Sequence, residues 1–373
     1  MTNLSTTDVP QKKTSHRRKR RKAGDKWGDL ESEELVAKVC RLFCDGSTPA
    51  EIVKQLGEEQ IKLSREAPYK LITQAAHKGW IHYEAPASEF LEVQLIRKVP
   101  WLKNACKVVN TPVFDDVAGR AADQLLSIIK SFGPGKDAVH IGFAGGHAMR
   151  NVAKRFADLL RTPLIGMPGK LVFHALVAGF DITDTTTAPN TFFLYFTGED
   201  LAVKTEFIGL FTEAVISDET YARLRRESTT IKKCVAEAEK LDIVVTSGTS
   251  WEDPDSPLKK YMESSEESLK SLVDQGCCGD ILWRPISPSG PIEVPTSIRA
   301  MTILELRKLR ELIHNGTKVL IALGPCSLCR RPKDDLLEAL LFMPEPIITH
   351  LVVDSRSVRR MLDRVGPKKI PST

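Results

Sequence analysis

Long apolar runs are missing from this chain of 373 residues. None approaches the roughly 18 residues that a helix needs to cross a bilayer, so the sequence predicts no transmembrane span and no membrane partner. Residues 1–8 also lack the apolar stretch of a secretory signal peptide, and we therefore expect a cytoplasmic protein. Hydrophobic residues at 42% and charged residues at 27% are typical of a globular protein that buries its own core.

Two glycine-rich nucleotide signatures are absent as well. The stretch that follows a predicted strand at 138–142 reads Gly142-x-x-Gly145-Gly146, which is not the GxGxxG of dinucleotide-binding folds. No acidic ribose ligand follows the next predicted strand, 163–167, and GxxxxGK[ST] does not occur anywhere. The sequence therefore predicts neither a dinucleotide cofactor nor a P-loop, and we expect no cofactor at all.

Cysteine is scattered along the chain, and only Cys326-Ser-Leu-Cys329 forms a CxxC pair. Scattered cysteines without a secretory context are expected to be reduced thiols rather than disulfides. Zinc needs a second pair of ligands, and the sequence does not place the adjacent Cys277 and Cys278 near the CxxC. We therefore predict buried thiols and no metal site.

Positive charge is concentrated at the N-terminus. Residues 1–26 hold nine basic side chains against two acidic ones, a balance of +7, so the net charge of +5 leaves −2 for the rest of the chain. We predict a disordered basic arm at 1–29, because such a composition cannot bury a core. It would bind phosphate backbones by counterion release, unless it serves only to solubilise the protein.

Residues 30–88 have the pattern of a three-helix DNA-binding domain. Apolar spacing predicts helices at 30–45 and about 65–78, and Thr48-Pro49-Ala50-Glu51 predicts a capped helix between them that ends at Gly57. Residues 80–83 alternate like a short strand, or wing. The sequence therefore predicts a helix-turn-helix, although a three-helix protein-interaction module has the same pattern.

The third helix would enter the DNA major groove with an outward face of polar side chains. The segment 57–64, with Glu58 and Glu59, is longer than the usual turn of this motif, which makes general DNA contact more secure than sequence-specific recognition. The predicted DNA-binding residues are Thr48, Ser64, Arg65, Tyr69, Lys70, Thr73 and Gln74.

Residues 89–373 alternate predicted strands and helices after a mostly helical stretch at 88–132. Continuous apolar strands such as Ile243-Val244-Val245 predict a doubly wound, mainly parallel sheet covered on both faces. The predicted strands are 138–142, 163–167, 191–196, 242–247, 280–284, 317–323 and 347–353. Ligands of such sheets bind beyond the carboxyl ends of the strands.

Loops rich in glycine or small polar residues follow four of these strands, and their convergence would form one pocket. Gly145 and Gly146 separate a buried strand from the helix start at His147, so backbone amides there could bind an anion. Lys333 could supply a counter-charge, with Arg330 and Arg331 as alternatives. Asp280 could accept a hydrogen bond from a sugar hydroxyl or cap a neighbouring loop. Trp251 and Trp283 could stack on a sugar ring or pack in the core.

The order of these pieces resembles the SorC family of bacterial sugar-binding transcriptional regulators, from about Leu35 to Leu362. Residues 35–83 resemble its helix-turn-helix. The larger part resembles it at Ile141 to Gly146, Gly276-x-x-Gly279-Asp280-Ile281, Gly290 and Leu351-Val-Val-Asp354. That family's effector domain is similar in fold to ribose-5-phosphate isomerase and glucosamine-6-phosphate deaminase.

The resemblance implies an oligomeric regulator, a dimer or tetramer, that binds operator DNA and a sugar or sugar phosphate. It implies phosphate contacts at Gly145, Gly146, His147, Ala148 and Lys333. Two departures bear on the ligand: the family often has hydroxyl residues where His147 and Ala148 stand, and the loop 323–333 carries Pro325, Cys326 and Cys329 instead of the family's pattern. An unphosphorylated effector is therefore a further option.

We predict a DNA-binding regulator of residues 30–88 controlled by an effector bound in residues 89–373. The predicted effector-binding residues are Gly145, Gly146, His147, Ala148, Gly248, Asp280 and Lys333. Two alternatives stay open. One is a sugar-phosphate isomerase or deaminase, for which only Asp280 and His147 offer a general base. The other is a sensor that contacts partner proteins. We predict no catalytic residues.

Overall fold

The computed structural model describes residues 33–78, 80–81, 84–179, 185–263, 265–293 and 298–365, so the basic arm predicted at 1–29 lies outside the described residues. The chain divides into two compact units, Met1–Tyr83 and Glu84–Thr373. The boundary between these units lies earlier in the chain than the boundary that the sequence predicts between residues 88 and 89. Residues 86 and 88 join the larger unit because Asn110 N–H donates to the Pro86 carbonyl and Ser88 N–H to that of Val108.

The smaller unit contains three helices, α1 (Glu33–Cys44), α2 (Pro49–Glu58) and α3 (Ala67–His77). Thr48 caps α2 through the expected capping box with Glu51, and the helix continues one residue past Gly57. Buried Leu35, Val39, Ile52 and Leu56 form the core of this unit. Of the predicted wing, residues 80 and 81 form bends rather than a strand, and residues 82 and 83 lie outside the described residues.

The larger unit is built on a seven-stranded sheet. The larger unit contains thirteen described strands, of which seven form this sheet. They are β1 (Cys106–Val109), β2 (Ala138–Phe143), β3 (Lys170–Ala175), β4 (Lys204–Ile208), β5 (Val215–Ser217), β6 (Ile243–Thr246), β7 (Gly248–Ser250), β8 (Gly279–Ile281), β9 (Arg284–Ser287), β10 (Gly290–Pro291), β11 (Ile298–Ala300), β12 (Lys318–Leu323) and β13 (His350–Asp354). The sheet has the order β1-β13-β12-β6-β2-β3-β4. Its neighbouring strands all pair in parallel.

Helices cover this sheet on both faces. The α-helices described in the larger unit are α4 (Glu89–Lys98), α5 (Phe114–Phe132), α6 (His147–Leu160), α7 (Pro189–Phe192), α8 (Asp218–Glu227), α9 (Thr229–Ala238), α10 (Pro257–Met262), α11 (Glu266–Asp274), α12 (Leu306–His314), α13 (Asp334–Phe342) and α14 (Ser355–Val365). Ile243, Val244, Val245 and Thr246 of β6 are all fully buried, although successive residues of a strand point to opposite faces. The predicted doubly wound α/β fold is thus confirmed.

Two of the predicted strands are wrong. Residues 163–167 form no strand: Ile165 is 91% exposed and Gly166 has a positive φ, and strand β3 begins at Lys170, three residues after this segment ends. Residues 191–196 form helical turns, α7 and the 3-10 helix Phe193–Phe196, because Pro189 starts a helix and the aromatic run packs on Phe173. Among the described residues, no helix has both the length and the apolar character needed to span a membrane.

A second, smaller sheet stands beside the carboxyl end of β6 and has the antiparallel order β10-β9-β8-β7. The sequence predicts one strand over residues 280–284, but β8 and β9 form a hairpin at this position. Leu282 and Trp283 make the two-residue turn with φ of 51° and 59°. This left-handed conformation is the geometry that such a turn demands, and it is costly for residues other than glycine.

Candidate ligand-binding site

The large sheet changes direction between β2 and β6. From β2 the chain moves to β3 and β4 on one side, and then returns to β6 on the other side before continuing to β12 and β13. The loops that leave β2 and β6 therefore diverge, which opens a crevice beyond the carboxyl ends of these strands. Crevices of this kind are where open α/β sheets bind their ligands.

A cavity of about 450 Å³ occupies this position, a size that suits a small organic molecule. All seven predicted effector-binding residues line it: Gly145, Gly146, His147, Ala148, Gly248, Asp280 and Lys333. They come from four segments that are far apart in sequence, and the segments with Gly248 and Asp280 are the strands β7 and β8 rather than loops. The four segments converge as predicted, whereas a role of the residues in binding remains a prediction.

The glycine corner forms one wall. Gly146 is the N-cap of α6 with φ of 102° and ψ of 165°, a conformation open in practice only to glycine. A Cβ on Gly145 would lie 3.0 Å from the Val177 side chain and 3.2 Å from that of Trp283. The α6 amides that follow have no intrahelical acceptor, since the first turn of any helix leaves its N–H groups free of such bonds. The corner therefore presents N–H donors, and the positive end of the helix dipole, to the cavity.

Lys333 forms the opposite wall, as the N-cap of α13. Its side chain is 7% exposed, and its ammonium donates to the Gly248 carbonyl at 2.7 Å. Burial lowers the pKa of Lys333, while Asp253, Cys326 and Asp280 oppose that effect. An ammonium donates three hydrogen bonds, so Lys333 can hold the Gly248 strand and still donate to a ligand.

Asp280 is the buried acid of the cavity. It is 3% exposed, accepts the Trp283 backbone N–H, and has one carboxylate oxygen, Oδ2, without a hydrogen-bond partner among the described residues. Burial raises its pKa to about 7, although the Lys333 charge acts in the opposite direction. Buried polar atoms are rarely left unpaired, and an unpaired acceptor on a cavity wall suits a ligand hydroxyl.

The Leu282–Trp283 turn brings a large ring to the same cavity. Trp283 is 7% exposed and approaches Gly145, so the ring closes the glycine corner from the side of the small sheet. Trp251, the other tryptophan considered, does not line the cavity and packs with Leu258, Met262 and Leu272. Arg331 donates to the Glu252 carbonyl at 3.0 Å, and neither it nor Arg330 lines the cavity.

Sequence reasoning missed the wall formed by residues 253–261. Asp253, Asp255, Lys260 and Tyr261 all line the cavity, with Lys260 3.3 Å from Asp255. In the sequence, Asp253-Pro-Asp255 follows Trp251 and Glu252, and an aspartate pair in a loop is not a specific signal by itself. Thr187, whose carbonyl accepts the Gly146 N–H at 2.8 Å, gave no such signal.

The smaller unit places its predicted DNA-binding residues on the surface. Tyr69, Lys70, Thr73 and Gln74 are exposed on α3, and Lys70 lies 3.8 Å from Glu66. Ser64 and Arg65 are exposed in the segment before α3. Thr48 is also exposed, but both its hydroxyl and its N–H are bound to Glu51. Glu59 of the long turn is paired with Lys38 of α1.

Comparison with known proteins shows what this fold is similar to. The full-length sorbitol operon regulator SorC from Klebsiella pneumoniae is 17% identical, covers 88% of this chain and 98% of its own, and has a TM-score of 0.61. A probable sor operon regulator from Shigella flexneri is 18% identical over 73% of this chain and 98% of its own, with a TM-score of 0.55. A transcriptional regulator from Streptococcus pneumoniae TIGR4 is 17% identical over 74% and 99%, again with 0.55.

No family model and no curated protein sequence matches the chain. At these identities the similarity is one of fold: the chain has the fold of the sorbitol operon regulator.

Proposed function

We propose that this protein is a SorC-family transcriptional regulator whose binding to operator DNA is controlled by a sugar or sugar phosphate. The observation that carries the proposal is the convergence of seven predicted effector residues on one cavity at the switch point of the sheet. The shared fold with operon regulators supports it. The match to SorC also covers more of the chain than residues 84–373 alone could supply.

The chemistry of the cavity suits a small ligand with both hydroxyl groups and an anionic group. Amides at the glycine corner and the Lys333 ammonium offer donors to an anion. Asp253, Asp255 and Asp280 offer acceptors to hydroxyl groups on the other walls. A wholly anionic ligand would be repelled by these carboxylates, and a wholly apolar one would leave them unpaired. A sugar phosphate offers a phosphate to the donors and hydroxyl groups to the carboxylates, whereas a neutral sugar offers hydroxyl groups to the carboxylates alone.

The smaller unit supplies the proposed DNA contacts through the exposed face of α3. Lys70 and Gln74 lie one helical turn apart and so share that face, with Tyr69 and Thr73 beside them. Ammonium and amide groups are donors for base edges and phosphates. Thr48 contributes through its cap, which fixes α2, and the basic arm adds contacts that do not depend on sequence.

Control requires that the ligand bind the DNA-competent and the DNA-incompetent states with different affinity. In a dimer or tetramer, a ligand that alters how protomers pack would alter the spacing of paired α3 helices. DNA fixes the spacing of two half-sites by its helical repeat, so a shift of a few ångströms would suffice. We propose a homo-oligomer without catalytic activity that works in this way in the cytoplasm.

A gel shift tests the proposal with a promoter fragment from upstream of the protein's own operon, with and without a panel of pentose phosphates, hexose phosphates and the free sugars. We expect a retarded complex that one of these ligands changes. The variant K70A/Q74A should lose at least about 30-fold in specific affinity, since each of the two base contacts contributes about 1–3 kcal/mol. K130A/Q275A, which removes the same groups from exposed positions of the larger unit, should bind as the wild type does. Retardation that does not depend on the DNA sequence and disappears at about 200 mM salt would contradict the proposal.

The buried Asp280 favours a second candidate, a sugar-phosphate isomerase or deaminase. A carboxyl group with a pKa near 7 in a cavity is suited to general acid–base catalysis. Turnover of pentose or amino-sugar phosphates by the purified protein, lost in D280N, would establish that reading in place of the regulator.

A further inference from the structure

Two loops meet at the mouth of the cavity, and the proposed function uses the aspartates of one of them only as hydrogen-bond acceptors and gives the CxxC pair of the other no role. One carries the pair Cys326 and Cys329, and the other carries Asp253 and Asp255. One ligand atom from each of the four side chains lies within 4.8 Å of all the others. The sequence alone gave no second ligand pair for the CxxC. The fold supplies one, and it is the aspartate pair rather than Cys277 and Cys278.

These four atoms approach the geometry of a tetrahedral zinc site. With Zn–S of about 2.3 Å and Zn–O of about 2.0–2.2 Å, the edges of such a tetrahedron measure roughly 3.4–3.8 Å. Ligand atoms within 4.8 Å of one another therefore need to move inward by no more than about 1 Å. Thiolate and carboxylate are both zinc ligands, and a spacing of two residues between cysteines is the usual one.

Backbone hydrogen bonds hold the CxxC loop in a tight turn. Cys326 N–H donates to the Arg331 carbonyl and Arg330 N–H to that of Cys326, both at 3.0 Å, which closes the loop into a tight turn. The backbone N–H groups of Leu328 and Cys329 donate to the Cys326 sulfur. These amide donors fix the position of the Cys326 sulfur within the turn.

Asp253 holds the two halves together. Its carboxylate contacts the sulfur of Cys326 and lies 3.6 Å from that of Cys329, while its Oδ1 also accepts the Asp255 N–H at 2.9 Å. Asp253 is 4% exposed and Cys326 is 9% exposed, whereas Asp255 and Cys329 are partly exposed. The cluster is therefore shielded on one side and open on the other, which leaves a path for a metal to enter.

A divalent cation would reduce the negative charge of the cluster. Two thiolates and two carboxylates carry four negative charges, and zinc reduces this to two. Lys260 lies 3.3 Å from Asp255, and the buried Lys333 is close enough to Asp253 and Cys326 to interact with both charges. These two ammonium groups offset part of the remaining charge, since Lys333 also interacts with Asp280 and Asp354.

We infer that Cys326, Cys329, Asp253 and Asp255 bind one zinc ion, which fastens the loop 324–333 to the loop 251–256 at the mouth of the cavity. The ion would fix the wall that also carries Lys333. This role is structural, and it holds whether the cavity binds an effector or a substrate.

Zinc itself is the probe. The protein is purified under reducing conditions, stripped of metal with a chelator and titrated with zinc in competition with a chromophoric chelator. We expect one equivalent per chain, which protects two thiols from a thiol reagent. Cobalt in place of zinc should give the absorption of a tetrahedral thiolate complex, and this readout needs no variant and so cannot be confused with misfolding.

Matched variants assign the ligands. C326S/C329S should bind no zinc, and D255N should bind it about 10- to 100-fold more weakly. C44S and D274N, which alter an exposed cysteine and an exposed aspartate outside the cluster, should retain one equivalent. The inference is overturned if the wild type takes up less than about a tenth of an equivalent, or if C326S/C329S binds as much as the wild type. A Cys326–Cys329 disulfide that forms even in the presence of zinc would equally overturn it.

Discussion

Replacing Asp280 with asparagine is expected to stabilise the folded protein above neutral pH and, in the same variant, to weaken ligand binding. If the carboxyl group instead stabilised the folded protein, replacing it would lower the stability. Asparagine retains the shape and can still accept the Trp283 N–H through Oδ1. It removes the negative charge from a position that is 3% exposed.

The magnitude follows from proton linkage. The folded protein keeps the Asp280 proton up to a pKa of about 7, whereas the unfolded chain releases it near 3.8. Between these values the folded state holds more protons, so stability falls as the pH rises and the full cost is present above about pH 7. A shift of roughly 3 units at 1.36 kcal/mol each amounts to about 4 kcal/mol. D280N should avoid this cost, and its advantage should grow from near zero at pH 4 to about that value at pH 8.

Denaturant unfolding at pH 4, 6 and 8 measures this difference, with D274N as the control that removes an exposed carboxylate. Ligand binding is measured by the rise in melting temperature with each sugar or sugar phosphate of the panel. D280N should lose roughly 10- to 100-fold in affinity, because a hydrogen bond to a charged group contributes about 1.5–3 kcal/mol. A stability difference that stays flat across the pH range would refute the assignment of a strained buried acid. Unchanged affinity would refute the contact between Oδ2 and the ligand.

Three further predictions concern the glycine corner, the α2 cap and the partly buried ion pair between Arg284 and Glu305. G146A forces a side chain into a backbone with φ of 102° and should cost about 1–3 kcal/mol, whereas G119A, in the interior of α5, should stabilise by about 0.5–1 kcal/mol in the same denaturation assay. T48A removes the capping box of α2 and should cost about 1 kcal/mol, so any loss of DNA affinity should vanish when binding is measured well below the melting temperature. Burial opposes ionisation of Glu305, but the Arg284 guanidinium prevails and lowers its pKa to about 2. E305Q should therefore be less stable than the wild type above pH 4.5, a gap that closes as the pH falls towards 2.

The sequence predicts those parts of the fold whose local pattern agrees with their final environment. Strands β6 and β12 are continuous apolar runs because both of their faces are covered, and the Thr48 capping box is complete within four residues. Strand β3 was missed because the apolar cluster at 163–167 precedes it, and Ile165 of that cluster is exposed. The aromatic run at 191–196 has the residue types of a strand, but its rings pack on Phe173, and that tertiary contact determines its helical form.

The site divides in the same way. Its glycine corner and Lys333 are visible in sequence because each stands at a boundary between two elements, where a backbone that needs glycine or a helix start leaves a local signal. The Asp253 and Asp255 wall is not, because its meaning depends on what faces it. An aspartate pair in a loop is ordinary until the fold brings a CxxC turn within 4.8 Å.

The strain of the Leu282–Trp283 turn is explained by the same cavity. Two non-glycine residues with left-handed φ cost free energy that a glycine pair would not, so a turn of this kind persists only where the surrounding structure holds it. Here the Trp283 N–H holds Asp280, and the Trp283 ring closes on Gly145. A glycine in place of Trp283 would relax the turn and open the corner at once. The strained hairpin therefore holds Asp280, with its unpaired Oδ2, and the Trp283 ring in the lining of one cavity, and this arrangement serves a ligand better than it serves the fold.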